Sequence, residues 1–191
     1  MKKVILWAIG LTLLLCGCGG TRQQAEEVQN HCAAWKNVRM EAEITCHLEG
    51  ESRSFTVVCT CDESGATTTI TAPEELSGMS ATVSGEEMLV NYDGAALSAG
   101  TPPVLSPANC VPYLLYAAKE GYLLEHGEET IDGLECLRLA LDTTASDGEK
   151  ILCTVWFETG SGVPHYAEFS RDGLVKLTIR TLSFEIIGKE E

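Results

Sequence analysis

Apolar and polar residues alternate with a period of two over most of this chain. The clearest run is Val38 to Leu48, in which every second residue is apolar and the residues between them are charged or polar. Such alternation predicts a β-strand with one buried and one solvent-facing side. Similar patterns predict ten more strands, over 55–61, 66–72, 79–83, 88–92, 95–98, 122–128, 137–141, 151–158, 166–170 and 174–187. Asp-Gly pairs, which favour tight hairpin turns, stand at 93–94, 132–133 and 172–173, so most of the sheet is expected to be antiparallel.

Two segments have the spacing of amphipathic helices instead. In the first, apolar residues recur at helical intervals from Ala25 to Trp35, with acidic and amide side chains on the other side. The second helix, 110–120, follows a proline-rich loop, and Asn109 is placed to cap it and Gly121 to end it. Its apolar residues cover a wide arc, which fits either a core helix or a lid whose side chains line a ligand cavity.

The order of these elements predicts the fold class. One helix and six strands are followed by the loop, the second helix and five more strands. A plain sandwich of two sheets explains this order poorly. A strongly curved antiparallel sheet explains it well, because its concave apolar side needs short helices to cover it. We therefore expect an α+β fold, an incomplete β-barrel covered by two or more short helices, formed by one domain over 25–188.

The N-terminal residues carry a targeting signal. Lys2 and Lys3 precede an apolar stretch that is too short to span a hydrocarbon layer of about 30 Å. The sequence Leu-Cys-Gly-Cys at 15–18 has the apolar and small residues that a lipobox requires before its cysteine. We expect a signal peptide over 1–17, a mature N-terminus at Cys18 that carries diacylglycerol, and a polar tether over 18–24; Cys16 is the alternative lipidated residue. The protein is then expected on the extracytoplasmic side of a cell membrane, held there by its acyl chains.

The charge of the chain restricts its partners. The formal net charge is −15, and removal of Lys2 and Lys3 with the signal peptide makes it −17. A protein binds nucleic acid by neutralising phosphates with lysine and arginine, so nucleic acid is excluded as a partner. Anionic lipid headgroups are repelled for the same reason. Contact with the membrane should therefore come from the acyl anchor at Cys18.

Seven cysteines lie beyond the signal and tether: Cys32, Cys46, Cys59, Cys61, Cys110, Cys136 and Cys153. An odd number cannot pair completely, and most of these residues stand within apolar strands, where cysteine behaves as a small hydrophobic residue. We therefore expect mainly reduced, buried thiols. Cys59 and Cys61 should share the core side of one strand, whereas His47 on a neighbouring strand should face the other way, so a metal site there is not expected.

Candidate catalytic chemistry is sparse. The four histidines are dispersed, and the chain contains neither a zinc-binding HExxH pattern nor a nucleophile motif of the G-x-S-x-G kind. Ser161-Gly162 is expected to shape a turn, and the clustered glutamates are expected to form solvated surfaces. The sequence thus predicts a protein that is not an enzyme and needs no metal or cofactor.

Three stretches carry a resemblance to a known family. They are Val38 to Leu48, the sequence GEEMLVNYDG at 85–94, and the sequence VWFETGSGVP at 155–164, in which a strand, an acidic residue, a turn and a Gly-x-Pro step follow one another. Together they resemble the lipoprotein-carrier-like (LolA-like) fold, an incomplete β-barrel with a helical lid. A cysteine-anchored, acidic member is similar to the germination lipoproteins of Gram-positive spore formers. It differs from the soluble periplasmic carriers, since a tethered protein cannot cross a periplasm freely.

The resemblance implies a binding protein. We expect the concave face to bind an acyl chain, another lipid-like ligand or a lipoprotein. The candidate cavity residues are Ile44, Cys46, Val57, Cys59, Leu89, Leu114, Leu115, Leu139 and Val155. The alternative is an envelope or spore-germination interaction protein that binds no small ligand and scaffolds or stabilises a cell-wall enzyme through its sheet edge or acidic surface.

Overall fold

One antiparallel sheet of eleven strands and two α-helices make up residues 20–48, 50–144 and 148–188, which a computed structural model of the protein describes. The elements are α1 (Gly20–Ala33), β1 (Val38–Leu48), β2 (Glu51–Asp62), β3 (Gly65–Ala72), a 3₁₀ turn (Glu74–Leu76), β4 (Ser80–Ser84), β5 (Glu87–Tyr92), β6 (Ala95–Gly100), α2 (Cys110–Glu120), β7 (Tyr122–Ile131), β8 (Leu134–Thr144), β9 (Lys150–Glu158), β10 (Pro164–Arg171) and β11 (Leu174–Ile186). The α+β class and the order of the predicted elements are confirmed. The predicted signal peptide and Cys18 lie outside the described residues.

The sheet is a meander in two halves. Its strand order is β6-β5-β4-β3-β2-β1-β11-β10-β9-β8-β7, and the halves join where β1 pairs with β11 from Val38 opposite Ile186 to Cys46 opposite Leu177. Strands β6 and β7 do not pair with each other, so the sheet is open. The chain passes from one free edge to the other through α2.

The sheet bends around helix α2. This helix contacts β2 in one half of the sheet and β8 and β9 in the other. In a flat sheet β2 and β8 would be about 24 Å apart, because five spacings of about 4.8 Å separate them. A helix about 10–12 Å across reaches both only if the sheet curves. The concave side therefore faces α2, as the alternation of apolar residues predicted.

The concave face forms the core. Ile44, Val57, Leu139, Val155 and Phe169 are fully buried there, and α2 adds Val111, Leu114 and Leu115 from its apolar arc. The core cluster is made of residues between Ala25 and Ile179. A soluble form that starts at Gly20 therefore keeps every residue of this cluster.

The three Asp-Gly pairs form the turns that the sequence predicted. Both residues of each pair have positive φ, of 48° to 54° at the aspartate and 75° to 82° at the glycine, in Asp93-Gly94, Asp132-Gly133 and Asp172-Gly173. Two successive residues in this region define the type I′ turn, whose twist matches that of antiparallel strands. These turns fix the β5–β6, β7–β8 and β10–β11 hairpins.

Helix α1 begins earlier than predicted. The polar tether was expected to extend to residue 24, but the helix starts at Gly20. Two pairs of side chains one turn apart stabilise this first part: Arg22 with Glu26, and Gln23 with Glu27. The prediction relied on apolar spacing, which starts only at Ala25, and it missed the support from these polar pairs.

The ends of α2 also differ from the prediction. Asn109 occupies the N-cap position, but its side chain makes no capping hydrogen bond; the turn that precedes the helix is held by the N–H of Cys110, which donates to the carbonyl of Ser106 at 2.9 Å. Gly121 ends the helix as predicted, with φ of −63° rather than a left-handed conformation. It must be glycine because a Cβ there would lie 2.5 Å from the Ala117 carbonyl oxygen and 2.9 Å from Leu141 Cβ.

Candidate functional site

Most of the predicted cavity residues lie in the packed core. Seven of the nine are buried members of one hydrophobic cluster, and Cys46 packs against it at partial exposure. The seven are Ile44, Val57, Cys59, Leu114, Leu115, Leu139 and Val155. Of these nine, only Leu115 lines one of the three clefts described below. These residues thus belong to the apolar core of the concave face.

Leu89 was assigned to the wrong face of the sheet. Its side chain is 46 % exposed, and it stands opposite Thr82 on β4 and Ser98 on β6, on the convex side. Met88, opposite Val83, is the concave residue and is 8 % exposed. The run Met-Leu-Val is apolar at every position, so its sequence alone does not give the phase of the alternation.

The largest of the described clefts lies at the rim of the sheet. Its volume is about 710 Å³, and it runs between α2 and the ends of strands β2 to β4. Its walls are mainly apolar and are formed by Val38, Cys61, Ala66, Val83, Pro112, Leu115 and Tyr116, with Gly65 and Gly85 beside them. A volume of this size falls within the range of small-molecule sites, which is about 300–1,000 Å³.

A second cleft of about 340 Å³ lies next to the first. The two share Val83, Gly85 and Tyr116, and the second adds Val104 and Tyr113 together with polar groups of the loop before α2. We call the two clefts together the rim groove. Tyr116 is half exposed and stands between them, with its ring centroid 5.7 Å from that of Tyr113. The rim groove therefore lies beside the helix, with an apolar larger cleft and a more polar smaller one.

Charges of both signs lie at the mouth of the rim groove. Lys36 and Lys119 stand near Asp62 and Glu120 in its lining. Lys119 Nζ donates to the carbonyl oxygen of Trp35 at 2.7 Å, which holds this cation between α1 and α2. Hydrogen bonds from the side chain and backbone of Ser64 hold the pKa of the Asp62 carboxyl below its ordinary value. Two lysines thus line the same cleft, although the net charge of the chain is −15.

A pair of thiols lies at the inner wall of the groove. The Sγ atoms of Cys59 and Cys61 are 3.5 Å apart, Cys59 is buried and Cys61 is partly exposed. The shared core side that the period predicted for these two residues is confirmed. His47 lies apart from them, with Nδ1 3.2 Å from Ser52 Oγ at the exposed side of the sheet. The expected reduced state of the cysteines stays a prediction.

A third cleft, of about 400 Å³, lies on the other side of α1. Val28 and His31 of the helix face Leu137 and the turn at 159–162 across it. The predicted role of Ser161-Gly162 in shaping that turn is confirmed, since Ser161 Oγ lies 2.6 Å from a carboxylate oxygen of Glu158 and Gly162 has φ of +67°.

The rim groove was only partly foreseen from sequence. Leu115 was predicted as a lining residue, whereas Ala66, Val83 and Lys119 were not. The alternation places Ala66 and Val83 on the concave side. Their position at the rim of the sheet depends on the register in which β3 pairs with β4, which the sequence does not reveal. An amphipathic tyrosine on an apolar helix suits a cavity mouth or a partner interface, and Tyr116 lies in such a place between the two clefts. In the described part of the chain, neither helix is long and apolar enough to cross a membrane.

The fold is shared with several solved structures. A domain described as that of an outer membrane lipoprotein-sorting protein from Vibrio parahaemolyticus matches with a TM-score of 0.50 and 12% identity over 88% of this chain and 93% of that chain. A DUF1329 family protein from Desulfovibrio piger matches with a TM-score of 0.51 and 12% identity over 88% and 94%. A conserved protein from Thermus thermophilus matches with a TM-score of 0.52 and 8% identity over 87% of each chain.

The sequence itself matches no protein-family model and no curated protein. At the identities found, the structural likeness concerns the fold. It extends over nearly the whole of the described chain, including the open antiparallel sheet and the helices on its concave side. The chain therefore has the lipoprotein-carrier-like (LolA-like) fold.

Proposed function

We propose that this protein is a membrane-anchored lipoprotein of the cell envelope that binds an acyl chain or a similar lipid-like ligand in the rim groove, without catalysing a reaction. The observation that carries the proposal is the groove itself, whose larger cleft of about 710 Å³ has mainly apolar walls and opens to solvent beside the smaller cleft of about 340 Å³. Burial of apolar surface supplies about 25 cal/mol for each Å² removed from water, so a flexible hydrocarbon chain gains most from such a site.

The proposal places the ligand in the rim groove and not among the core residues that the sequence predicted. The residues expected to line a central cavity pack against one another, so a ligand at the centre of the concave face would have to displace the core. Displacing closely packed side chains costs several kcal/mol, because each buried side chain loses its contacts. A ligand in the groove leaves that packing intact, and its polar end can lie near Lys36 and Lys119 at the mouth.

The anchor belongs to the same proposal. Acyl chains on Cys18 would hold the domain at the membrane through only a few residues before α1, which starts at Gly20. Growth with a palmitate analogue that can be coupled to a dye tests this anchor. The protein should become labelled, and Cys18→Ala should abolish the label, whereas Cys16→Ala should leave it. Label that survives Cys18→Ala and is lost in Cys16→Ala would move the anchor to Cys16.

Binding is tested with a soluble form that starts at Gly20. After removal of lipid, a fluorescent fatty acid is titrated into the protein, and saturable binding with one site is expected. Val83→Trp places an indole in both clefts and should abolish this binding. Thr82→Trp is the matched control: Thr82 is the adjacent residue of β4, it pairs with Leu89 on the convex face, and its substitution should leave the affinity unchanged. Equal binding by the two variants would refute a ligand site in the groove.

A second candidate function rests on the free edge at β6. All six residues of Ala95–Gly100 are exposed, and none is charged. Natural proteins usually protect such an edge with charged residues such as lysine, since its unpaired N–H and C=O groups can pair with another strand. The irregularity of β6 lies only at its end, where Ser98 pairs with Leu89 and Gly100 with Met88. The other free edge, β7, carries three glutamates at Glu125, Glu128 and Glu129. An uncharged edge favours an envelope protein that adds an extended segment to the sheet.

The two functions make different predictions for one substitution. Ala96→Pro removes a backbone donor from β6, and Ala96 pairs with Asn91 at the edge, away from the rim groove. If an envelope partner adds a strand at β6, Ala96→Pro should abolish co-purification of a stoichiometric protein from cross-linked cells. It should leave fatty-acid binding unchanged. Loss of fatty-acid binding in Ala96→Pro without loss of a partner would contradict the edge as a second site.

A further inference from the structure

Cys59 and Cys61 form a pair of sulfur atoms that is open to solvent on one side. The residues are two apart on β2, so both side chains point to the concave face, and their Sγ atoms are 3.5 Å apart. Cys59 is fully buried, and Cys61 is partly exposed in the wall of the 710 Å³ cleft. A small ion that enters the rim groove can thus reach Cys61 directly and Cys59 behind it.

The backbone disfavours a disulfide between these two residues. Both are paired on each side of β2: Cys59 with Met40 and Thr68, and Cys61 with Val38 and Ala66. Two residues that are two apart in a strand have Cα atoms about 6.6 Å apart, close to the upper limit of about 6.8 Å for disulfides. Closing the S–S bond would require the strand to distort while both neighbouring strands hold it. The pair is better suited to bind an atom between the sulfurs.

We propose that Cys59 and Cys61 form a two-coordinate site for a soft monovalent cation such as copper(I). Thiolates are soft ligands and select soft metals, copper(I) among them. Among the residues that the structure describes, no group of three or more histidine, cysteine, aspartate or glutamate side chains is gathered as for a metal ion. Zinc needs about four ligands in a tetrahedron, so this pair does not suit it. This inference differs from the expectation drawn from the sequence, because the structure brings the two sulfurs to 3.5 Å beside an open cleft. It goes beyond the proposed lipid binding, and its test uses no lipid.

Binding exchanges protons for the metal. Two thiols and one monovalent cation give a bis-thiolate complex of charge −1 and release two protons, and no electron is transferred. With metal–sulfur bonds of about 2.3 Å, a linear complex needs its sulfurs about 4.6 Å apart. The present separation of 3.5 Å must therefore open by about 1 Å. Cys61 can move by this amount because its side chain faces the open cleft.

The surroundings of the pair favour a complex of negative charge. Lys119 lines the same cleft as Cys61 and places a positive charge on the side of the pair that is open to solvent. Thr68 Oγ1 lies 3.3 Å from Cys59 Sγ and 2.9 Å from the Ala108 carbonyl oxygen. The hydroxyl of Thr68 has one proton, which can point to the sulfur when Cys59 is a thiolate.

The site is tested with silver(I), a redox-inert analogue of copper(I). The soluble form that starts at Gly20 is reduced, freed of reductant and titrated by calorimetry under argon. We expect one tightly bound silver ion per chain. Cys61→Ala and Cys59→Ala should each weaken this binding by about 10²- to 10⁴-fold. The remaining thiolate then binds the ion alone, without the gain in affinity that a second thiolate held nearby provides. Thr68→Val should weaken it by about 10-fold, the loss typical of a group that orients a ligand.

Cys46→Ala is the matched control, because Cys46 is the other partly exposed thiol on the concave side. It should bind silver as the unchanged protein does. Because Cys61 is partly exposed, the Cys61→Ala variant should have the melting temperature of the unchanged protein. This variant therefore decides the test even if Cys59→Ala does not fold. X-ray absorption of the copper(I) form should give two sulfur neighbours. Tight binding that survives Cys61→Ala, binding lost in Cys46→Ala, or a Cys59–Cys61 disulfide in the anaerobic protein would each overturn the proposal.

Discussion

Tyr113 on α2 donates a hydrogen bond of 2.9 Å to Thr143 Oγ1 on β8, where both side chains are buried. Thr143 in turn donates to the carbonyl oxygen of Ile151 on β9, also at 2.9 Å. Buried polar groups are costly unless they are paired, and these two bonds satisfy each hydroxyl in turn. They also fix the helix against the second half of the sheet, while Tyr113 borders the smaller cleft of the rim groove.

Tyr113→Phe should therefore lower the free energy of unfolding by about 1 kcal/mol, the usual net contribution of one hydrogen bond. Tyr116→Phe is the control, because Tyr116 is on the same helix but half exposed, and it should change the value by less than about 0.5 kcal/mol. Urea unfolding followed by circular dichroism measures both. Equal stability of the two variants would show that the Tyr113 hydroxyl does not hold α2 to the sheet.

The close approach at the end of α2 gives a second prediction. Gly121→Ala should destabilise the protein by about 1–3 kcal/mol, because the new Cβ would meet the Ala117 carbonyl oxygen at 2.5 Å and Leu141 Cβ at 2.9 Å. Gly127→Ala is the control, since nothing lies within 4 Å of a Cβ there, and it should be neutral or slightly stabilising. Thermal unfolding of both variants measures this. A similar loss of stability in Gly127→Ala would mean that the close approach at Gly121 is not the cause.

The sequence predicts the sheet well where one side of a strand is polar. In β1 the alternation is regular, and its residues from Met40 to Cys46 lie on the faces that the period assigns. In β5 it fails, because Met88, Leu89 and Val90 are all apolar, and only pairing with β4 decides which of them face inward. The rim groove was missed for a related reason: it depends on where α2 ends relative to β3 and β4, which local patterns do not determine.

The corrected face of β5 can be tested directly. Met88→Ala should lower the free energy of unfolding by about 2 kcal/mol or more, because Met88 is 8 % exposed and packs on the concave side. Leu89→Ala should cost less than about 0.5 kcal/mol, since that side chain is 46 % exposed. The two variants remove similar volumes from adjacent residues. A larger loss at Leu89 than at Met88 in urea unfolding would restore the phase that the sequence first indicated.

The helices were predicted more easily than the packing between them. The period of 110–120 gave α2 with its correct bounds, and its wide apolar arc is buried from Cys110 to Ala118. Whether this helix fills a core or covers a cavity could not be derived, since both need the same apolar side chains. The structure combines the two: Leu114 is in the core, and Leu115 and Tyr116 form one wall of the groove.

Cys32 should make the stability of the protein depend on pH in the alkaline range. Burial raises the pKa of this thiol from 9.0 to about 12, although the charge of Lys119 acts in the opposite direction. Between those values the unfolded chain loses the proton and the folded chain keeps it. The stabilisation is therefore complete below pH 9 and is lost as the pH rises towards 12, by at most about 1.4 kcal/mol per pH unit.

Cys32→Ala should show a shallower decline in the free energy of unfolding between pH 9 and 11, measured by urea unfolding. Val28→Ala on the same helix should lower stability equally at each pH, and a decline in Cys32→Ala as steep as in the unchanged protein would assign the effect to other groups.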